Sequence, residues 1–542
     1  MSPVVAIGID AGDPILIERL SREGHLPTLS RLRRSGAYGR LEHLHVYRAE
    51  TAWTTFLTGV RPDRTAFYSP LKYLDDYQAD NVGAYDFSAF LPFYALVPDA
   101  RVAVFDLPQT RIVPGVNGIQ VAGWGAHSPM APSESAPATL LADLVARHGS
   151  HPTLESDEAS VYNRAALLDL RDRLLEGLRR RAAITKDLLR RERWDLFLTM
   201  ISETHSAGHN LWHLSQPEHP LYASAHRDGE DPLGDIMRSV DGTIADIIGA
   251  AAPDATIVIF SVHGMEANTV DLPSMVFLPE LMFRYSFPGR RGLTGAADGA
   301  PIPPPQSRLR RSCWEDELYA MKHDGNPVTR LLRRHVPSDL YYRVERKLGW
   351  RSAPVCYREC SKLHYQPAWW YRDAWPQMKA FALPSFSEGY VRINLAGREP
   401  NGTVRPGDYD RVCAEITAIL RDLRDARSGR PLVRHVTRTR QSSDENGPTL
   451  PDADLIVSWQ PFTTDVVDSP TLGRIGPVPF LRSGSHVERG FIMVSGPGIP
   501  AGSTIASGHS LDLAPTILSL MGVPVPSRFD GTPLELPALS AV

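Results

Sequence analysis

Cysteine is scarce: Cys313, Cys356, Cys360 and Cys413 are the four in 542 residues. So few in so long a chain exclude a disulfide-built scaffold and fit a reducing compartment. Cys356 and Cys360 lie close together, but no second pair and no nearby histidine cluster completes a zinc framework around them. Long apolar runs are missing too, and none approaches the ~20 residues that a membrane helix needs. The first residues, Met1 to Asp10, start a strand at once. They show neither the basic segment nor the apolar core of ~7–15 residues that marks a secretory leader. The expectation is a cytoplasmic protein. A positive field is also lacking: 58 Lys and Arg face 62 Asp and Glu, a net charge of -4. Neither nucleic acid nor an anionic membrane is called for as a partner. The local clusters Arg179-Arg180-Arg181 and Arg190-Arg191 share a helix with the apolar stripe Leu167, Leu170, Leu174 and Leu178. They are expected on its solvated face. No internal repeat is visible.

What is present is an alternation of apolar runs and amphipathic helices. Val4 to Ile9, Arg101 to Leu107, Leu196 to Met200 and Ala255 to Ser261 read as buried strands. Helices are expected over 15–20, 26–32, 137–148, 163–191 and from Pro232 onward, where a proline in the first turn follows Asp231. Arg48 to Gly59 reads as a helix entered from a loop, whose first N–H groups could face an anion. This pattern predicts an α/β fold with a mostly parallel sheet sandwiched by helices. It breaks between about 270 and 376, around the proline run Pro301 to Pro305, and that stretch is expected to be an inserted cap. The predicted organisation is a first core part at 1–269, the cap at 270–376 and a second core part at 377–542. Strands resume in the second part at 378–383, 389–395, 454–458 and 491–494, with helices at 409–423 and 510–522. Asp452 and Asp454 read as turn residues.

Polar residues of one kind collect just after the apolar runs or at loop–helix junctions: Asp10, Glu50, His205, His209, His263 and His486. Strand ends are where open α/β sheets bind ligands. His205 and His209 are four apart and share a helix face, a spacing that suits two ligands on one ion. A carboxylate with several imidazoles suits Zn²⁺, with Mn²⁺ or Fe²⁺ as the other choices, better than Mg²⁺ or Ca²⁺. Glu203 is either a further ligand or an acceptor that orients a histidine. His213 is either a ligand or a surface residue. Trp212 reads as packing, and His25, His43, His45, His127 and His509 as structural.

Asp10, His209, His263 and His486 lie in motifs that resemble the alkaline phosphatase superfamily, in its type I phosphodiesterase/nucleotide pyrophosphatase branch. The carrying segments are Gly8-Ile9-Asp10-Ala11-Gly12 with Leu26-Pro27-Thr28-Leu29, Ala52 to Gly59, Gly208-His209, Ser261 to Met265, Gly389 to Asn394 with Gly397-Arg398-Glu399-Pro400, Gly484-Ser485-His486, and Asp512 to Thr516. The resemblance implies an alkaline-phosphatase-like fold and a metal-dependent hydrolase of a small phosphoester or phosphoanhydride, with no oligomeric state assigned. In that family two ions clamp the ester oxygens while a Ser or Thr attacks phosphorus. Asp10 matches a first-strand metal carboxylate. His209 and His486 match two ligands of one ion, and His263 a ligand of the other.

Three positions depart from the family pattern. Ala49 stands at the nucleophile's place, followed by Glu50 and Thr51. His205 replaces an Asp, and Val262 replaces the Asp of Asp-His-Gly. Three accounts are open. Thr51 serves as nucleophile after a local shift. Alternatively, an ion at His205, His209 and His486 activates water, with Glu50 or Glu203 as base or further ligand. Or the site has been rebuilt, either as a mononuclear metalloenzyme acting on a small biosynthetic intermediate or as a non-catalytic ligand-binding protein. One or two ions per chain are expected.

Overall fold

The computed structural model describes residues 2–125, 132–154, 156–311, 313–322, 327–336, 340, 347, 363 and 365–537. Cys356, Cys360 and His127 lie outside the described residues. The chain opens with strand β1 (Val4–Ile9) and helices α1 (Pro14–Arg22) and α2 (Pro27–Ser35). Strand β2 (Ala37–Glu42) and helix α3 (Ala52–Thr58) follow. Then come β3 (Val102–Phe105), β4 (Gly118–Ala122), β5 (Glu134–Ala136) and the long helix α4 (Arg164–Arg191). Next are β6 (Leu196–Ile201), α5 (Glu203–Ser215), α6 (Pro232–Ala250), β7 (Thr256–Ser261) and β8 (Gly264–Ala267). A second region holds β9 (Ala380–Leu383), β10 (Gly389–Ile393), β11 (Val433–Arg438) and β12 (Leu455–Trp459). The chain then returns with β13 (Gly484–Val487), β14 (Arg489–Ser495) and helix α7 (Leu513–Leu520).

The main sheet runs in the order β2, β14, β7, β1, β6, β3, β4, β5, with short strands added beside β2. Its centre is parallel: β1 pairs with β6 and β7, and β3 with β6 and β4. Strand β14 runs antiparallel to both neighbours, and so does β5 to β4. This is the mixed, mostly parallel α/β sheet that alternating strands and helices predict. Every residue of β1, β6 and β7 is buried, because helices cover both faces. Val5, Ile7 and Ile9 pack toward α1, α2, α4 and α6, while Val4 and Ala6 pack toward α3 and α7.

Strands β9 to β12 form a separate antiparallel sheet, in the order β9, β10, β12, β11. Its core includes Leu281, Trp314 and Trp375 as well as Phe381, Val457 and Phe480, so residues on both sides of position 376 share it. The proline run 301–305 carries no helix or strand. No described helix is long and apolar enough to cross a membrane.

Two expectations about charge are corrected. Arg179 is largely exposed, but the side chain of Arg181 is fully buried. Positions 167, 170, 174, 178 and 181 step by three or four, which continues the apolar stripe of α4 through Arg181. Its guanidinium donates to Asp106 Oδ2 at 2.9 Å and to both oxygens of Glu203 at 2.9 and 3.0 Å. Nor is Asp454 a turn residue: it is fully buried and accepts from the Ile393 N–H, the Arg398 guanidinium and the Tyr409 hydroxyl. A strand-start aspartate reads as a turn by residue type, and only the packing of β10 against β12 turns it inward.

Replacing Arg181 by Met leaves two buried carboxylates without their cation. Arg181→Met is expected to destabilise the protein by about 3–5 kcal/mol in urea unfolding. Arg179→Met is expected to leave the midpoint unchanged.

Candidate metal centre

Strand β1 pairs with β6 through Ile9↔Ile201 and with β7 through Gly8↔Phe260. Asp10, the start of α5 and His263 therefore emerge at one edge of the sheet. Asp10 is tied there by its own N–H to the Ile201 carbonyl at 3.0 Å, and its carbonyl accepts from the Thr204 hydroxyl. Ala11, directly after it, takes a φ of 55°, a conformation uncommon for residues with a Cβ.

Helix α5 presents His205 and His209 one turn apart. Strand β13 brings His486 to them from 277 residues away. The Nε2 of His209 stands 3.2 Å from the Nε2 of His205 and 3.2 Å from the Nε2 of His486. One ligand atom from each of the three lies within 4.8 Å of the others, the one such group found among the described residues. His209 Nδ1 faces the Gly484 carbonyl at 2.7 Å. A carbonyl only accepts, so Nδ1 carries the proton and Nε2 presents its lone pair to the centre of the group. That is the tautomer and the arrangement of a histidine ligand supported by a backbone acceptor. The three imidazoles thus fit a divalent cation of the zinc type in donor chemistry and convergence. His205 is partly accessible, so the group opens to solvent on its side.

Asp10 and His263 lie at the flank of this group. His263 Nε2 is 3.6 Å from Asp10 Oδ1, and the His263 ring centroid is 4.3 Å from that of His486. Trp53 of α3 meets the His263 ring edge-on at 5.9 Å. Val262 is fully buried in the apolar core.

Glu50 and Thr51 have hydrogen-bond partners of their own. The Thr51 hydroxyl donates to the Tyr47 carbonyl at 2.8 Å. Glu50 is fully buried and accepts from the Phe386 and Ser387 N–H groups at 3.0 and 3.1 Å. The Ser387 hydroxyl lies 2.5 Å from Glu50 Oε2 and 2.6 Å from Glu388 Oε2. Burial and the neighbouring Glu388 push the Glu50 carboxyl up to about 7. Glu388 also accepts from the Tyr47 N–H and faces Arg48 at 3.3 Å. The loop before α3 is thereby bonded to the segment between β9 and β10.

Glu203 opens α5 but meets Arg181 through both oxygens, and His151 Nε2 lies 3.1 Å from Oε1. Burial alone would raise this carboxyl, yet Arg181 and His151 outweigh it and hold it at about 2. His213, one turn beyond His209, is buried beside His219 with a ring separation of 5.7 Å, and burial lowers its imidazole to about 4. Sequence reasoning missed Ser387, Glu388, His151 and Asp106. Only Asp106 carried a signal, as a carboxylate at a strand end like Asp10.

Glu50 gives a pH signature. Its folded value of about 7 exceeds the ordinary 4.5, so between these the folded protein keeps a proton that the unfolded chain has released. Stability attributable to Glu50 is expected to fall as pH rises through this window and to level off above it. In urea unfolding from pH 4.5 to 8, Glu50→Gln should gain on the wild type up to about pH 7. A constant offset across that range would show that Glu50 is ionised throughout.

Comparison with known proteins bears on this site. No curated protein sequence matches. Among solved structures, two of phosphonoacetate hydrolase from Sinorhizobium meliloti 1021 are similar. The complex with phosphonoformate shares 14% identity at a TM-score of 0.44, and the complex with phosphonoacetate 15% at 0.45. Each comparison covers 96% of this chain and 95% of that one. The family model described as type I phosphodiesterase / nucleotide pyrophosphatase matches residues 4–284, which is more than half of the chain and includes Asp10, His205, His209 and His263. The chain belongs to the type I phosphodiesterase / nucleotide pyrophosphatase family.

Proposed function

We propose that the protein is a metal-dependent hydrolase of a small phosphoester or phosphoanhydride, working with an activated water in place of the family's Ser or Thr. The observation that carries this is the convergence of His205, His209 and His486 on one point, with the His209 proton held away from it by Gly484. Three neutral imidazoles would hold one divalent cation, Zn²⁺ by donor type. When bound, it lowers the pKa of water and draws charge from a phosphoryl oxygen.

The chain's own residues divide the remaining work. His205, the accessible member, marks the side from which substrate enters. Asp10 and His263 form a carboxylate–imidazole pair, suited to hold and pass a proton beside the reacting group. Val262 adds no donor beside them, so among the described residues a second ion is less well provided for than the first. The reading with water in the attacking role is supported by the Thr51 hydroxyl bonding to the Tyr47 carbonyl and by Glu203 bonding to Arg181 and His151. Glu50 holds the second region against the loop before α3 through Ser387. The region 270–376, with the sheet β9–β12 that shares its core, is assigned the selection of substrate.

Metal analysis of the purified protein should find one tightly held ion per chain. His209→Ala is expected to lose that ion and turnover of a phosphodiester probe together. Thr51→Ala is expected to keep kcat within about tenfold of the wild type, as befits a residue outside the chemical step. A loss of about a thousandfold or more would make Thr51 the nucleophile instead.

A further inference from the structure

Three segments bring Asp10, His263 and His486 to the site, and each carries a charged residue three positions further on: Asp13, Glu266 and Arg489. The three charges meet. Arg489 Nε donates to Asp13 Oδ2 at 2.6 Å, and Arg489 Nη1 donates to Glu266 Oε2 at 3.0 Å. Asp13 is buried and also accepts from the Ile15 and Leu16 N–H groups at 3.0 Å, so it anchors the start of α1. Strands β8 and β13 pair with Met265 opposite His486 and Glu266 opposite Ser485.

The segments are closely packed. A Cβ on Gly264 would stand 2.5 Å from Asp13 Oδ2 and 2.9 Å from the Arg489 carbonyl oxygen. The Gly12 N–H donates to the Ser261 hydroxyl at 3.1 Å, which in turn donates to the His263 carbonyl at 2.7 Å. One guanidinium, one hydroxyl and one glycine therefore join three stretches that are more than 200 residues apart.

We propose that Arg489 is a positioning residue that sets the relative placement of Asp10, His263 and His486. The guanidinium is planar and offers donors in a fixed fork, so it fixes the separation and orientation of Asp13 and Glu266 as well as neutralising them. A lysine supplies the charge without the fork. If Arg489 is removed, two carboxylates are left facing each other across the junction, one of them buried, and the segments have reason to part. Helix α5 has a further anchor of its own, Arg181 on Glu203, beside its bonds to Gly484 and Asp10, so His205 and His209 are expected to shift less than the other three.

The inference rests on the metal reading above, and its test has one readout that does not. Zn²⁺ affinity is measured on the full chain by competition with a chromophoric chelator, and amide hydrogen exchange is followed over 263–267, 484–489 and 203–215. Arg489→Met is expected to weaken Zn²⁺ binding by about ten- to hundredfold, the usual cost of removing a group that orients ligands. Arg489→Lys should recover part of that loss. Glu266→Gln, which leaves buried Asp13 still paired with Arg489, should weaken binding less, and the Arg489→Met/Glu266→Gln double variant should show less than the sum of the two effects. Exchange should quicken at 263–267 and 484–489 but not at 203–215. Arg398→Met, which breaks the Arg398–Asp454 pair in the second region, serves as the control for general destabilisation. Wild-type affinity in Arg489→Met, or an equal loss in Arg398→Met, overturns the proposal. If the wild type binds no Zn²⁺, the metal reading fails, and unchanged exchange at 263–267 in Arg489→Met or Glu266→Gln would still refute the clamp.

Discussion

The candidate site depends on one close approach, between the middle of α5 and the start of β13. A Cβ on Gly484 would stand 2.3 Å from the Gly208 carbonyl oxygen, and one on Gly208 would meet the Met265 side chain at 2.9 Å. With both positions glycine, the backbones can bond directly. The Ser483 N–H donates to the His209 carbonyl at 2.8 Å, and the His209 ring donates to the Gly484 carbonyl at 2.7 Å. That pair of bonds does two things at once. It sets the tautomer of His209, and it places His486, two residues after Gly484, against the rings of His205 and His209. Gly-His and Gly-Ser-His are therefore two halves of a single contact.

Around this contact the structure spends charge in an ordered way. Arg181 joins Asp106 after β3 to Glu203 at the start of α5. Arg489 joins Asp13 to Glu266. Arg398 and Tyr409 meet on Asp454 in the second region. A buried ion pair is a poor source of net stability, because desolvation offsets much of the attraction. Breaking one by removing a single partner is costly, however, and a guanidinium bonds only in a narrow set of directions. Such pairs suit the task of holding segments from distant parts of the chain in one arrangement. The Gly397-Arg398-Glu399-Pro400 motif belongs to this structural class: Arg398 bonds Asp454 and Glu399 bonds Arg392.

The departures expected from the resemblance concern Ala49, His205 and Val262 together. Ala49, which the resemblance sets at the nucleophile's place, has as neighbours Glu50 and Thr51, which are bonded into the loop and to the second region. Val262 has joined the apolar core. The place of an aspartate is taken by His205, which completes a group of three imidazoles. By that resemblance, donors are fewer on the Asp10–His263 side of His486 and more numerous on the His205–His209 side. This asymmetry is why the proposed chemistry centres on one ion and on water, although the chain is a member of a family that resembles two-ion enzymes.

Much of this was legible from residue order. Runs such as Val4–Ile9 and Thr256–Ser261 are apolar throughout because both faces of the central sheet are covered, and a rule about local burial finds them. The spacing of His205 and His209 places both on one helix face by geometry alone. A glycine or a histidine just past a strand end is visible as well. Tertiary structure alone decided which distant groups meet: His209 with Gly484, Glu50 with Ser387 and Glu388, Arg181 with Asp106 and Glu203, Arg489 with Asp13 and Glu266. It also decided that Arg181 and Asp454 face inward, against the expectation from their residue types. The reason is physical. Periodicity reports which side of an element is buried, a property set by residues a few positions apart. The partner of a buried charge is set by how the elements pack, and that packing joins residues hundreds of positions apart whose individual types leave many pairings open.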